Sequence, residues 1–412
     1  MKFVHAADLH LDSPFLGLQN DAIPVDLLDR VRQSTFQSFE RIVDDAITNR
    51  VDFVLLAGDL FDRNDHSVAA EVFFLDQLNR LANQHIPVFL LFGNHDYFDG
   101  DVASLGYPKN TYVFPSNVAT TKLETHQGER IAISGFSFNK RWVREAKIAD
   151  YPEATGNGYH IGMLHGSLES LNSPDGNYAP FTLDQLEAKH YNYWALGHIH
   201  KRQSLDAGKT INYPGNPQGR HINEAGEKGY LMVHTENGQF HADFHATAPI
   251  VWRVITQKAG QQSTGKLAAQ ILRAVTDARF ETLSFCRIQI IMDSTADATT
   301  TAQILSGELL ETLQNQLATT WRQRNCWITS IKVDQAQTVQ LSGIDQQYFD
   351  QASQQLFKGD QVKQMAGSLT HYPFIQRDLM AQDSLQDIYQ RAKALLQENV
   401  SGEAQLGDHS ED

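Results

Sequence analysis

Five stretches of the chain run from apolar residues into Asp, Asn or His: Asp8-Leu9-His10, Gly58-Asp59, Gly93-Asn94-His95-Asp96, His165-Gly166 and Gly197-His198-Ile199-His200. Four of them contain a glycine, which lets a backbone turn tightly. A turn needs Gly and Asn, but it does not need His95-Asp96. Imidazole and carboxylate together suit manganese, iron or zinc better than the all-oxygen shells that magnesium and calcium prefer. Residues at i and i+2 of an extended segment share a face, so the spacing would let Asp8 with His10 and His198 with His200 act as chelating pairs. The set is too large for one tetrahedral ion and about right for two. Each piece alone is weak. Asp-x-His arises by chance, a lone Gly-Asp marks many turns, and His165 alone would read as a satisfied core histidine. Their order, each after an apolar run, is what points to a metal centre.

The elements that must position these groups are legible. "KFVHAAD" is a short apolar strand, "VDFVLLAGD" a second and "IPVFLLFGN" a third. Between them Leu28, Val31, Phe39, Ile42 and Ala46 recur at helical spacing, and Ser67 to Gln84 forms a second helix. This βαβαβ order predicts parallel strands with helices on the sheet faces, and parallel strands deliver their carboxyl ends to one ligand-binding edge. Strand-like stretches with short turns follow: "RIAISGFSF", "YHIGMLHG", "YWALGHIH", "KTINYPG", "KGYLMVHT" and "QFHADFHA". Thr182 with Gln185 reads as a capping box.

Near residue 250 the character changes. Residues 251–335 read as a compact βαβαβ unit, with helices from about Gly265 to Asp277 and from about Ala302 to Arg322. That segment has nine Lys or Arg against seven Asp or Glu, whereas 336–412 has five against eleven. The tail ends in an amphipathic helix, with Leu385, Ile388, Tyr389, Ala392, Leu395 and Leu396 on one face, and an acidic stretch of disordered composition. The expected division is 1–250, 251–335 and 336–412.

Composition narrows the function class. A net charge of −15 over 412 residues disfavours nucleic-acid binding by charge alone, so work on phosphates needs a local positive source, and bound metal is one. No apolar run spans a bilayer and the first residues lack a signal-peptide core. Cys286 and Cys326 are too few for a disulfide framework, which makes a reducing cytoplasm the expected compartment; they read as buried apolar residues.

The ordered set resembles the calcineurin-like metallophosphoesterases across about the first 240 residues. "MKFVHAADLHLDSP", "LLAGDLFDR", "GNHD", "LHGS", "GHIH" and "YPGNPQGRHINEAGEKGY" resemble most the SbcD/YhaO-type DNA repair nucleases, bacterial relatives of the Mre nuclease. The resemblance implies an α/β fold, an αββα sandwich of two mixed sheets flanked by helices, with a small α+β capping domain and a helical C-terminal tail. It implies one metal held by Asp8, His10 and His200, a second by Asn94, His165 and His198, and Asp59 bridging them. His95 then faces the substrate as acid and Asp96 orients its ring. Where some members have a histidine, this chain has Asp62, which stays outside the catalytic set.

The implied activity is manganese-dependent DNA phosphodiester hydrolysis, trimming from the 3′ side and nicking single strands, with Fe, Zn or Mg as substitute ions. The implied partners are DNA, an SMC-like ABC ATPase with a long coiled coil, and a second copy in a homodimer, with no membrane. Candidate phosphate contacts are Arg220 in the "YPGNPQGR" loop, which reads equally as a plain turn, and, in the middle segment, Arg253, Lys258, Arg273 and Arg279, for each of which solvated surface charge is the better reading. Two rival classes remain: a metallophosphoesterase for small phosphoesters, and a non-catalytic DNA-end scaffold. The complete ligand set weighs against the scaffold, and the middle segment weighs against the small-substrate enzyme.

Overall fold

The apolar runs become strands buried on both faces, as parallel strands require. A computed structural model describes residues 1–335 except 16–17, 19–22, 64, 157, 170–177 and 293–297, and beyond 335 only 361, 362, 367 and 385. The expected C-terminal amphipathic helix, apart from Leu385, and the acidic end lie outside the described residues. The chain divides into two compact units, one of 1–256, 268–289 and 310–332, the other of 257–267, 290–309 and 333–412.

The first stretch is β1 (Lys2–Ala6), α1 (Val25–Thr48), β2 (Phe53–Ala57), α2 (Val68–Asn83), β3 (Val88–Leu91) and β4 (Thr111–Val113). Then come β5 (Ala119–Glu124), β6 (Arg130–Gly135), β7 (Tyr159–His165), α3 (Leu183–Glu187), β8 (Tyr193–Gly197), β9 (Gln203–Ser204) and β10 (Ile211–Tyr213). The run closes with β11 (Gly229–Glu236) and β12 (Gln239–Ala246). Two six-stranded mixed sheets result, ordered β12-β11-β1-β2-β3-β4 and β5-β6-β7-β8-β10-β9. In the first, β1 to β4 are parallel and β11 runs antiparallel to β1; in the second, β6, β7 and β8 are parallel.

The period-two alternation of a strand decides which core each residue joins. Phe3, Phe53, Leu55, Phe89 and Leu91 face the second sheet, where Ile133, Ile161, Met163 and Tyr193 meet them. Val4, Val54, Leu56 and Leu90 face α1 and α2, packing on Phe39, Ile42, Phe74 and Leu78. A second-sheet face buries Phe136, Tyr151, Trp194, Leu196 and Tyr213. The αββα sandwich is therefore the observed fold.

Local signals explain the helix ends. Ser67 accepts the Ala70 N–H at the start of α2, and Thr182 and Gln185 form the expected reciprocal box at α3. In α1 the buried stripe starts at Leu27 rather than Leu28.

Beyond residue 250 lie β13 (Ile250–Ala259), α4 (Thr264–Asp277), β14 (Leu283–Met292), α5 (Ala298–Leu305), α6 (Glu308–Leu317), α7 (Trp321–Arg324) and β15 (Cys326–Gln335). The strands form a third sheet in the order β13-β14-β15. The single helix expected from Ala302 to Arg322 is instead three. Gly307 sits at φ +90, a left-handed conformation that no α-helix continues through. Cys286 and Cys326 are fully buried and form no disulfide; Cys326 Sγ–H donates to Cys286 Sγ at 3.4 Å. No described helix is long and apolar enough to cross a membrane.

Candidate metal centre

The carboxyl ends of β1, β2, β3, β7 and β8 meet at one edge of the two sheets, which brings together all seven predicted ligands. Asp8 and Asp59 each stand two residues beyond a parallel strand, and Asn94 three residues beyond β3. His165 is the last residue of β7, and His198 and His200 follow β8. The backbone is bent hard to aim them. Asp8 (φ 54), His10 (φ 43), Asp59 (φ 51) and His198 (φ 100) all occupy left-handed conformations rare outside glycine. Hydrogen bonds hold these bends: Asp8 N–H to Gly58 O at 2.9 Å and His10 N–H to Asp59 O at 3.0 Å. Strain of this kind collects at functional sites, where surrounding structure over-determines it.

The donor atoms converge in groups. Asp8, His10 and His200 form one, and Asp59, His165 and His198 another, while a third group of His10, Asp62 and His95 shares His10 with the first; the ligand atoms of each lie within 4.8 Å of one another. His10 Nε2 and His200 Nε2 lie 3.0 Å apart. His165 Nε2 is 3.1 Å from Asn94 Oδ1 and 3.4 Å from Asp59 Oδ2. Asp59 Oδ2 is also 3.9 Å from His10 Nε2, so this carboxylate lies near both the Asp8 and the His165 groups.

These residues fit divalent cations. Asp8 Oδ2 is buried with no hydrogen-bond partner, which is costly for a carboxylate unless something positive meets it. His10 Nε2 and His200 Nε2, 3.0 Å apart beside that carboxylate, complete a nitrogen-and-oxygen donor set of the kind such cations take. Outer contacts set the tautomers. His165 Nδ1–H donates to Ala57 O at 2.9 Å and His200 Nδ1–H to Glu224 Oε1 at 2.7 Å, leaving each Nε2 as the metal-facing atom. Asp8 Oδ1 accepts the His198 N–H at 2.8 Å, binding the ends of β1 and β8 together.

Burial and neighbouring charge act against each other here. Burial raises Asp8. Burial would raise Asp59 too, yet His165, His95 and His10 hold it well below the ordinary carboxylate range. Burial would lower His165, but Asp59 and Asp8 lift it to about 9. Burial, then the charge of His165, takes His198 down to about 3; burial, then Arg220, lowers His10.

His95 is half-buried at the rim, and its N–H donates to Asp59 Oδ1 at 2.9 Å. One expectation is corrected. Asp96 does not orient the His95 ring: its carboxylate accepts the Leu60 N–H at 2.6 Å and the Gly93 N–H at 2.7 Å. It thereby clamps the turns that carry Asp59 and Asn94. The ring is held instead by the Asp62 carbonyl, which accepts His95 Nδ1–H at 2.6 Å. Both oxygens of the Asp96 carboxylate are engaged by these backbone donors rather than by the ring. Burial, aided by Asp59, raises Asp96 to about 7.

Arg220 lies beside the centre, where its Nη1 pairs with Asp62 Oδ1 at 2.5 Å and its Nη2 is 3.8 Å from Glu224. Sequence reasoning missed Glu224. It is buried, bonds His200, and also accepts from Asn216 Nδ2 at 2.8 Å and the Arg220 N–H at 2.7 Å. Its signal was present: a carboxylate inside the quoted "YPGNPQGRHINEAGEKGY", just past Arg220 and His221. Lys228, in the same stretch, donates to His200 O at 2.6 Å.

Known proteins place the chain in a family. The model of the calcineurin-like phosphoesterase family matches residues 1–202. The chain is 35% identical over 410 residues to the metallophosphoesterase YhaO of Bacillus subtilis, covering 97% of this chain and 98% of that one. It is 27% identical over 230 residues to the DNA double-strand break repair protein Mre11 of Thermoplasma acidophilum, and 30% identical over 224 residues to that of Sulfurisphaera tokodaii. Those two matches cover 52% and 51% of this chain and 59% and 53% of the relatives. With its strand-end ligands, its two mixed sheets and a full-length relative of this kind, the chain belongs to the calcineurin-like metallophosphoesterases.

Proposed function

We propose that the protein is a manganese-dependent DNA phosphodiesterase that trims ends from the 3′ side and nicks single strands in DNA repair. The observation that carries the reading is the complete ligand set with His95 standing at its rim. Likeness to proteins described as DNA double-strand break repair Mre11 supports DNA over small phosphoesters as substrate. Asp8, His10 and His200 would hold one ion, Asn94, His165 and His198 the other, with Asp59 between them. Two such ions supply charge neutralisation at the phosphate and a hydroxide nucleophile.

The chain's own groups do the rest. His95 donates Nδ1–H to the Asp62 carbonyl, and in its doubly protonated form it also carries a proton on Nε2, which passes to the leaving sugar oxygen and leaves neutral imidazole. Asp96 keeps the two ligand turns in register through Leu60 and Gly93. Arg220, already paired with Asp62, offers a cation beside the centre for a neighbouring phosphate. Residues 251–335 act as the capping domain that contacts DNA, and 336–412 carries the contact to an SMC-like ABC ATPase. The protein works in the cytoplasm, as a homodimer.

The test is hydrolysis of end-labelled single-stranded and duplex DNA with manganese, beside a cyclic dinucleotide and p-nitrophenyl phosphate. DNA cleavage that His95→Ala abolishes upholds the reading, and the label gives the direction. Turnover of the small substrates alone overturns it.

A further inference from the structure

Residues 139–147, NKRWVREAK, form a loop whose charge is opposite to that of the chain. Lys140, Arg141, Arg144 and Lys147 stand there against one carboxylate, Glu145, in a protein of net charge −15. Val143 and Ile148 anchor the loop in the core, and the Val143 carbonyl accepts the Ala179 N–H at 2.7 Å. The side chain that this anchoring presents is Trp142, an unusual residue to leave 44% exposed.

Trp142 does not stand alone. Its ring stacks on Tyr178 at 5.3 Å and 15°, and Tyr178 in turn lies 5.1 Å from the ring of the ligand His198. The indole is thus no more than about 10 Å from a metal ligand. The Arg141 and Arg144 guanidiniums sit 5.2 and 5.5 Å from its centroid, and both side chains are exposed. An exposed aromatic with two arginines beside it, near a phosphoester-cleaving centre, is the arrangement by which proteins hold unpaired bases.

We propose that Trp142 is a stacking platform for an unpaired DNA base next to the scissile phosphate, with Arg141 and Arg144 contacting the adjoining phosphates. This rests on the reading of the centre as a DNA phosphodiesterase. A stacked base outweighs an exposed cation–π contact, so it displaces the guanidiniums from the ring and frees them for phosphate. A duplex terminus keeps its bases paired and cannot use the platform until it frays. The loop therefore favours single-stranded ends.

Of the five tryptophans, the other four are buried, so quenching of emission by added DNA reports mainly on Trp142. The experiment uses the manganese-loaded full chain and two phosphorothioate-linked single strands of equal length, which keep the charge and resist hydrolysis. One carries bases and the other is abasic. The base-bearing strand is expected to quench emission and bind roughly tenfold more tightly. Trp142→Ala removes that preference and Trp142→Phe retains most of it. Equal affinity of the native protein for both strands overturns the proposal, a comparison that needs no variant to fold. So does a preference that survives in Trp142→Ala. Hydrolysis of unmodified DNA without base preference overturns the platform alone, whereas base preference without hydrolysis overturns the nuclease reading alone.

Discussion

The buried Glu224 carboxylate accepts the His200 Nδ1–H at 2.7 Å, which commits Nε2 of that ring to the metal side. Burial would raise Glu224, but His200 and Arg220 hold it far below the ordinary range, so it stays an acceptor at every working pH. Glu224→Gln presents an amide that can donate where His200 must also donate. Manganese affinity should fall roughly 10- to 100-fold, as losing such an outer partner does. Titration calorimetry checks this, and an unchanged affinity would show that His200 needs no help.

His95 makes a prediction that separates chemistry from binding. His95→Gln should lower kcat on DNA by about 10²- to 10⁴-fold, the share general acids supply, with metal content intact. On bis(p-nitrophenyl) phosphate, whose leaving group needs no proton, the loss should be much smaller. Equal losses on both substrates would mean that His95 serves the ions rather than the leaving oxygen.

Gly93 shows how little room the centre leaves. A Cβ there would lie 2.3 Å from Asp59 Oδ1 and 2.7 Å from His165 Nε2, both too close to tolerate. Gly93→Ala should therefore displace the Asp59 carboxylate while leaving the sandwich folded. Elemental analysis should find fewer bound ions per chain, alongside an unchanged circular dichroism spectrum.

His5 predicts a pH dependence of stability. It is fully buried between the sheets; its Nε2–H donates to Leu196 O at 3.1 Å, so its Nδ1 accepts from Tyr193 O–H at 2.9 Å. Burial drops its pKa from 6.5 to about 3. In that interval the unfolded chain binds a proton that the folded one refuses, so stability falls as pH drops from 6.5 towards 3. A shift of that size amounts to several kcal/mol across the interval. His5→Gln keeps both hydrogen bonds without titrating, and urea midpoints measured in EDTA should fall less steeply with acid. An unchanged slope would assign the acid lability to the other groups with depressed pKa values, His10, His198, Asp59 and Glu224.

The sequence alone determined the ligand types, their order and the strands that end in them. That is because an apolar run, a glycine and a following Asp or His are local patterns with local causes. It also determined the layered α/β class, since period-two burial on both faces is written into β1, β2 and β3. What only the tertiary structure decided is which groups touch. Asp96 and His95 are neighbours in the chain, yet Asp96 turns to the backbone of Leu60 and Gly93 while the carbonyl of Asp62 takes the ring. Glu224 reaches His200 across 24 residues, and Trp142 reaches Tyr178 across a separation no spacing rule addresses. Gly307 likewise broke an expected helix through its backbone angle rather than its hydropathy. Hydrogen-bond partners and stacking depend on where loops close in three dimensions, and loop closure is set by the packing of both sheets together.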